Sequence, residues 1–284
     1  MGISLLYFPL LAPAPEYFTN HRATAMGFML AGGLALSPLI RTLLTKVDGR
    51  WTLRIYALIN LATGLPVAWA TPERRNTHVS RALAARATFI FSAIAAFLQA
   101  AGAQLPLAFI PSYTVVLGQS ASQGTNLLAA ANAINAISRI LTGYAGDRFG
   151  RQNTLLFTLL LAAVSVFAFW LMSVTRSDTG LWMVFIVLYS FAGGGYYALF
   201  PALIAEVFGI RQYVAVNAFI LFVRGLGTVF GSPVGGQLLG NPEEGTKAYS
   251  RIAFWDGALL MGATFCCVAV RWADGKGRGW KLVA

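Results

Sequence analysis

The sequence predicts an all-α, multi-pass (polytopic) membrane protein, and its composition and its apolar runs support this fold class. Of the 284 residues, 57% are hydrophobic and 11% are charged. A soluble domain has roughly 25% charged residues, so this chain lacks the polar surface that a soluble protein needs. Apolar runs of about 20 residues, the length of a helix that crosses a bilayer, recur along the whole chain. We therefore expect a lipid bilayer to surround the protein.

The apolar runs, taken in order, predict eight full membrane spans that follow the end of another. Residues 1–14 form the partial span. The full spans are predicted at 23–44, 52–70, 87–110, 124–145, 153–174, 181–203, 213–238 and 252–272. The polar segment 71–86 divides the spans into two groups. The predicted organisation is an incomplete N-terminal bundle (1–70), a linker (71–86), and a six-helix C-terminal bundle with its tail (87–284).

The charge of the chain indicates membrane topology rather than binding of nucleic acid. The formal net charge is +11, but the Lys and Arg residues lie in short loops between apolar runs and not on one face. More of them fall on the side of the linker, and basic loops face the cytoplasm. This predicts a cytoplasmic linker and a cytoplasmic C-terminus, although the basic loop at 41–54 favours the opposite orientation. We expect the plasma membrane rather than an internal one.

Motifs for an enzyme or for a bound cofactor are not found in the sequence. It has no G-x-x-x-x-G-K-[ST] loop, which excludes the common ATP-binding motif. Neither a metal-spaced group of His, Asp and Glu nor a nucleophile with a neighbouring base is present. Cys266 and Cys267 are adjacent within an apolar run and predict neither a disulfide framework nor a metal site. We expect no catalytic activity, no cofactor, no metal and no nucleic-acid partner.

A short basic turn between two apolar runs carries the most specific motif of the chain. Its residues spell G-x-x-x-D-R-x-G-R, with Gly143, Asp147, Arg148, Gly150 and Arg151 at the fixed positions. This pattern resembles the loop motif of the major facilitator superfamily, which lies between the second and third helices of each six-helix half. The glycines permit close approach or a turn, and Asp147 can pair with arginines or with a helix N-terminus. Two interpretations remain: a gate built from ion pairs, or solvated loop charges.

Within that superfamily, the chain resembles the monocarboxylate-porter branch, especially its fungal members. Residues 17–32 fit the Y-F-x-x-x-R-x-x-A-x-G-x-x-x-A-G pattern that opens the fifth helix of the branch, and Arg139 with Gly143 resembles its eighth helix. The resemblance implies a twelve-helix fold of which this chain holds the end of the fourth helix and the fifth to the twelfth, without the first three. Animal members have an aspartate where this chain has Asn135, which carries no proton. Protons as a partner are therefore left open.

Arg139 is the first candidate for a solute-binding residue. Asn132, Asn135, Arg139 and Thr142 share one face of a helix, and they form a polar stripe in an apolar span. An arginine inside a membrane costs about 3 to more than 10 kcal/mol, so it normally faces a cavity or a partner. Its planar guanidinium suits a carboxylate. The alternative is that the side chain extends to the nearby membrane interface.

Arg224 is the second candidate, since it lies near the middle of its predicted span. It is followed by glycines, including Gly227 and Gly231, that allow a close helix contact. Contact with a solute and a structural bond to a neighbouring helix are both open for it. Glu206 lies with the basic turn on the cytoplasmic side and is a candidate gate residue. The triplet Gly193–Gly195 is either a hinge or a packing surface.

These observations favour a secondary active or facilitative transporter of a small organic solute, which we expect to be a monocarboxylate or a related organic anion. Transport would follow from two bundles that rock about a central site. The resemblance also allows uptake or efflux of a larger metabolite, such as a vitamin or a secondary metabolite. The rival hypothesis is a truncated fragment without transport, because loss of three helices would open the cavity to lipid.

Overall fold

The computed structural model describes residues 23–25, 51, 54–55, 58, 61–62 and 81–278. Most of the predicted N-terminal bundle (1–70) and most of the predicted linker (71–86) lie outside the described residues. So do Tyr17, Phe18 and Arg22 of the fifth-helix pattern. Every regular element in the described ranges is helical.

Eight α-helices follow a single helical turn, Arg81–Ala84, in the described part of the chain. They are α1 (Ala87–Ala103), α2 (Leu105–Val116), α3 (Ala121–Phe149), α4 (Arg151–Ser165), α5 (Leu171–Arg176), α6 (Thr179–Phe208), α7 (Ile210–Gln237) and α8 (Ser250–Arg278). A π-helical turn, Val166–Trp170, joins α4 to α5, and a 3₁₀ segment, Pro242–Tyr249, precedes α8. In sequence order these elements coincide with the six spans predicted after the linker.

Five helical segments among the described residues are long and apolar enough to cross a membrane. They are Ala87–Val116, Arg151–Arg176, Thr179–Phe208, Ile210–Gln237 and Glu244–Lys276. α3 is also long, at 29 residues, but its polar stripe makes it less apolar than the others. Bulky apolar side chains such as Phe222 and Phe265 are more than 60% exposed, as expected where a helix faces lipid rather than water. The all-α membrane fold class is confirmed.

The helices are longer than the predicted spans, and the first of them continues past its predicted end. The sequence predicts an end at 110, but α2 continues through Pro111 to Val116. The break comes earlier, at Gln104, where Pro106 in the first turn of α2 starts a new helix. Inside a bilayer a helix tolerates proline because neighbouring helices satisfy the freed backbone groups.

The described helices pack through small residues at their closest contacts. A Cβ atom added to Gly227 would lie 2.5 Å from the carbonyl oxygen of Phe97 in α1, and Gly231 packs one turn further along against Ala101. Gly194 packs on Asn135 and Ser138 of α3, inside an unbroken α6. The triplet Gly193–Gly195 is therefore a packing surface in this structure. This close approach brings the polar face of α3 against the tyrosines of α6.

Candidate functional site

The polar face of α3 forms one wall of the candidate site. α3 begins with a capping box, in which Ser120 and Gln123 bond each other's backbone N–H groups. Further along, Arg139 donates from Nε and Nη2 to Oδ1 of Asn135, at 3.2 and 3.0 Å. This bond follows from the four-residue spacing, which stacks the two side chains on one helix face. The same guanidinium also lies against the ring of Tyr197 in α6.

Tyr197 of α6 is the residue around which the predicted site residues gather. The guanidinium carbon of Arg139 lies 5.1 Å from the centroid of the Tyr197 ring, and that of Arg224 lies 5.2 Å from the same centroid. Gln104 donates from Nε2 to the Tyr197 hydroxyl at 3.3 Å. Arg224 also lies 4.9 Å from the Tyr196 ring. Each contact is within the range of a cation–π interaction, so two helices present their cations to one aromatic pair.

Tyr197 lines two small cavities. The first, of about 30 Å³, is lined by Gln99, Asn135, Tyr189 and Ser190 among others. The second, of about 110 Å³, is lined by Arg224 and Asn217, together with apolar residues of α6 and α7. Pockets that enclose a small-molecule ligand typically measure about 300–1,000 Å³. Both cavities are smaller than this range.

The structure brings three of the four predicted solute-binding residues to this place. Asn135, Arg139 and Arg224 surround Tyr197 or line its cavities. Asn132 does not, because it is exposed and lines neither cavity. At a three-residue offset from Asn135 it lies about 60° away around the helix, which is enough to turn its amide from the site. The role of Asn132 in solute binding stays a prediction.

Asp147 is the centre of a buried charge network at the far end of α3. Its carboxylate accepts the backbone N–H of Ala23 at 3.1 Å, and the backbone N–H and hydroxyl of Thr24, each at 2.8 Å. Arg151 donates to it from Nε and Nη2 at 3.1 and 3.0 Å. Residues 23–25 are helical, and hydrogen bonds from backbone N–H groups stabilise a carboxylate. Asp147 therefore ties the segment 23–25 to the end of α3.

Arg151 and Gln152 extend this network to α6 and α8. Arg151 Nη1 lies 3.6 Å from a carboxylate oxygen of Glu206, and Gln152 donates to the other oxygen at 3.3 Å. Gln152 also donates to Asp274 at 2.9 Å and accepts from Arg271 at 3.2 Å. The side chains of Asp147 and Arg151 are 4% and 9% exposed. Because they are buried, these ion pairs are more than solvated loop charges.

The glycines of the motif make the contact with segment 23–25 possible. A Cβ atom on Gly143 would lie 2.5 Å from the carbonyl oxygen of Ala23. Gly150 has φ 94° between α3 and α4, a conformation that other residues rarely adopt. Arg148, in contrast, is exposed and lies 6.0 Å from the ring of Phe149. None of the contacts described for this network involves Arg148, and its role in the gate stays a prediction.

Two parts of this arrangement escaped the prediction. Tyr197 was missed because nothing in the local sequence identifies an aromatic ring as the partner of two distant arginines. Gln152 likewise carries no motif. Asp256 did have a signal, since it is a carboxyl group within the apolar run 252–272, where an ionisable residue indicates a function by default.

These features define an integral, multi-pass membrane protein with a polar candidate site between its described helices. The sequence matches the model of the Major Facilitator Superfamily over residues 1–186 and again over residues 92–281. Together the two matches cover nearly the whole chain. The chain belongs to the major facilitator superfamily.

Relatives of the chain include fungal proteins whose names refer to transport or efflux. It is 26% identical over 294 residues to an MFS-type transporter of Gibberella moniliformis, a match that covers 100% of this chain and 69% of the relative. It is 27% identical to the agnestins efflux protein of Paecilomyces divaricatus, over 95% of this chain and 63% of the relative. It is 28% identical to the aspyridones efflux protein of Emericella nidulans, over 84% of this chain and 50% of the relative. The chain thus spans about half to two thirds of these relatives.

A solved structure supports the same fold. The crystal structure of the E. coli fucose:proton symporter FucP aligns with a TM-score of 0.64 at 17% identity, over 93% of this chain and 73% of that chain. At this identity the similarity extends to the fold alone.

Proposed function

We propose that the protein transports a small organic anion across the membrane and that Arg139 and Arg224 bind its negative charge. The observation that carries the proposal is that both guanidiniums lie about 5 Å from the ring of Tyr197, beside a cavity within the membrane-spanning helices. Among the described residues, no carboxylate forms an ion pair with Arg224. A cation in that position favours an anion as its partner.

In this proposal the site opens by a change in the relative position of two bundles, 1–70 and 87–284, joined by the linker 71–86. The closed cavities would then enlarge toward one side of the membrane at a time. The network of Asp147, Arg151 and Glu206 acts as the gate that holds one of these states. The orientation with a cytoplasmic C-terminus, and residence in the plasma membrane, belong to the same proposal.

Two solute classes are consistent with this site. A monocarboxylate is favoured by the resemblance to the monocarboxylate-porter branch and by the suitability of guanidinium for carboxylate. A larger secondary metabolite is favoured by the efflux proteins for aspyridones and agnestins among the relatives. The aromatic pair Tyr196 and Tyr197 offers stacking area that a larger conjugated anion could use.

The test is flux into proteoliposomes that contain the purified full chain. The probes are radiolabelled lactate for the first class and an aspyridone, detected by mass spectrometry, for the second. For a transported probe, Arg139→Gln and Arg224→Gln are each expected to lower the initial rate about 10- to 100-fold, since a charged hydrogen bond contributes about 1.5–3 kcal/mol. Arg176→Gln, which removes an exposed charge at the end of α5, is the matched control and should leave the rate unchanged.

Three outcomes are decisive. Loss of flux in both arginine variants but not in the control supports the proposal, and the transported probe identifies the solute class. Flux of a probe at the wild-type rate in Arg139→Gln removes that residue from the site. Absence of flux for both probes in correctly inserted wild-type protein contradicts transport of either class and favours the non-transporting alternative.

A further inference from the structure

Asp256 is a carboxyl group that the solute site and the gate do not use. It lies in α8, within a helix that is apolar and long enough to span the membrane. Its side chain is 0% exposed, and neither of its oxygens has a hydrogen-bond partner. Gly102 of α1 faces it so closely that a Cβ atom there would lie 2.6 Å from Oδ1. The carboxyl group is therefore enclosed between α1 and α8.

The titratable groups near Asp256 do not neutralise it. Tyr189 of α6 is a titratable neighbour, but its hydroxyl donates to the backbone carbonyl of Ala103 at 3.3 Å. Tyr113 of α2 pairs with Ser173. The remaining charged groups of α8 and of the described elements next to it lie toward helix ends or in the 3₁₀ segment: Arg86, Arg151, Arg176, Glu244, Lys247, Arg251, Arg271, Asp274 and Lys276. None of these forms an ion pair with Asp256.

A buried carboxylate without a partner is unfavourable. The penalty for an ion in a protein interior is several kcal/mol even after relaxation, and an isolated buried acid neutralises instead. An uncharged carboxylic acid is compatible with the apolar surroundings that α1 and α8 provide.

A route for proton exchange lies close by. The cavity of about 30 Å³ is lined by Ala103, which follows Gly102, and by Leu260, which is one turn of α8 from Asp256. That volume is enough for water. Gln99, which also lines the cavity, has a buried side-chain oxygen without a partner. Water in this cavity would thus lie next to Ala103, the neighbour of the Gly102 that packs against Asp256.

We propose that Asp256 is a proton-binding site, which holds one proton while α1 and α8 are packed together and releases it to water when they separate. Release breaks the O–H bond, leaves the electron pair on the carboxylate and transfers the proton to a water molecule. The site is separate from Arg139 and Arg224, so it stands whether or not an organic anion is the solute.

The first experiment asks whether the acid is protonated in the membrane. Dicyclohexylcarbodiimide, an apolar reagent, adds to a protonated carboxylic acid, whose proton moves to a carbodiimide nitrogen, and forms a stable N-acylurea. Membranes that contain the full chain are treated at about neutral pH, where an exposed carboxylate is ionised, and the peptides are analysed by mass spectrometry. Asp256 is expected to be modified, less so as the pH rises, while exposed Glu244 stays unmodified. An unmodified Asp256 at every pH overturns the proposal.

The second experiment uses Asp256→Asn, an uncharged side chain of the same shape. The folded protein is expected to hold a proton on Asp256 that the unfolded chain has lost above the acid range. The folding equilibrium constant of the wild type should then fall, relative to that of the variant, by up to tenfold for each unit by which the pH rises. Thermal midpoints of both proteins in detergent are compared over a series of pH values, with Glu244→Gln as the control that should parallel the wild type. Parallel curves for wild type and Asp256→Asn contradict the proposal. If the variant fails to insert, the labelling of wild-type protein still decides.

Discussion

Removal of the charge of Asp147 tests whether the charge network at the end of α3 stabilises the packing of segment 23–25 against that helix. Asp147→Asn keeps the size of the side chain but replaces one acceptor oxygen by an amide donor. The carboxylate accepts three bonds from Ala23 and Thr24 and two from Arg151, all between 2.8 and 3.1 Å. The variant can keep only part of this set.

The expected magnitude follows from the burial of Arg151. Removal of one partner of a buried ion pair costs about 3–5 kcal/mol because the other charge is left uncompensated. Glu206 remains 3.6 Å from Arg151, which moderates the loss, while the favourable charge at the start of segment 23–25 is lost as well. We expect about 3 kcal/mol, equivalent to more than a 100-fold change in an equilibrium constant.

The assay is unfolding of the full chain in detergent, arranged as a double-mutant cycle of Asp147→Asn and Arg151→Gln. Residues in direct contact show coupling energies of about 0.5–3 kcal/mol, and we expect the upper half of that range. Arg148→Gln, the neighbouring exposed arginine, should change stability by less than about 0.5 kcal/mol. The reasoning fails if Asp147→Asn is no more destabilising than this control, or if the two network mutations are additive.

Two further substitutions test local features of the helices. Gly143→Ala should destabilise the protein by about 1–3 kcal/mol, since the new methyl group would meet the Ala23 carbonyl. Gly225→Ala, whose methyl group would have no atom within 4 Å, should be neutral or stabilise the protein by up to about 1 kcal/mol. Thermal midpoints of the two variants are compared, and equal effects would refute the close contact at Gly143. Asp178→Ala should cost about 0.5–2 kcal/mol because its side chain caps two N–H groups at the start of α6, and an unchanged midpoint would show that the cap contributes nothing.

The fold and part of the site could be predicted from the sequence because their signals are local. One continuous apolar run is enough to predict a span. The four-residue spacing of Asp147 and Arg151 is enough to predict their contact, because a helix places such residues on one face. Arg139 and Asn135 share that spacing and do bond each other. Such pairs need no knowledge of the tertiary fold.

The rest depends on which helices become neighbours. Arg151 contacts Glu206 across 55 positions of the chain, and Gln152 contacts Asp274 across 122. No periodicity links such residues. Arg148 differs from Asp147, since the motif groups the two residues although the side chain of Arg148 is exposed. A motif records which residues occur together, and only packing determines which of them meet.

α3 explains how the solute site and the charge network could act together. Asn135 and Arg139 lie at Tyr197, and Asp147 lies about 18 Å from Asn135 along the same continuous helix, at the rise of an α-helix. α6 also reaches both places, with Tyr197 at one and Glu206 at the other. A helix without a break transmits a tilt along its whole length. A tilt that releases segment 23–25 from Asp147 would therefore also move Arg139 relative to Tyr197, so that breaking the network and opening the site become one motion.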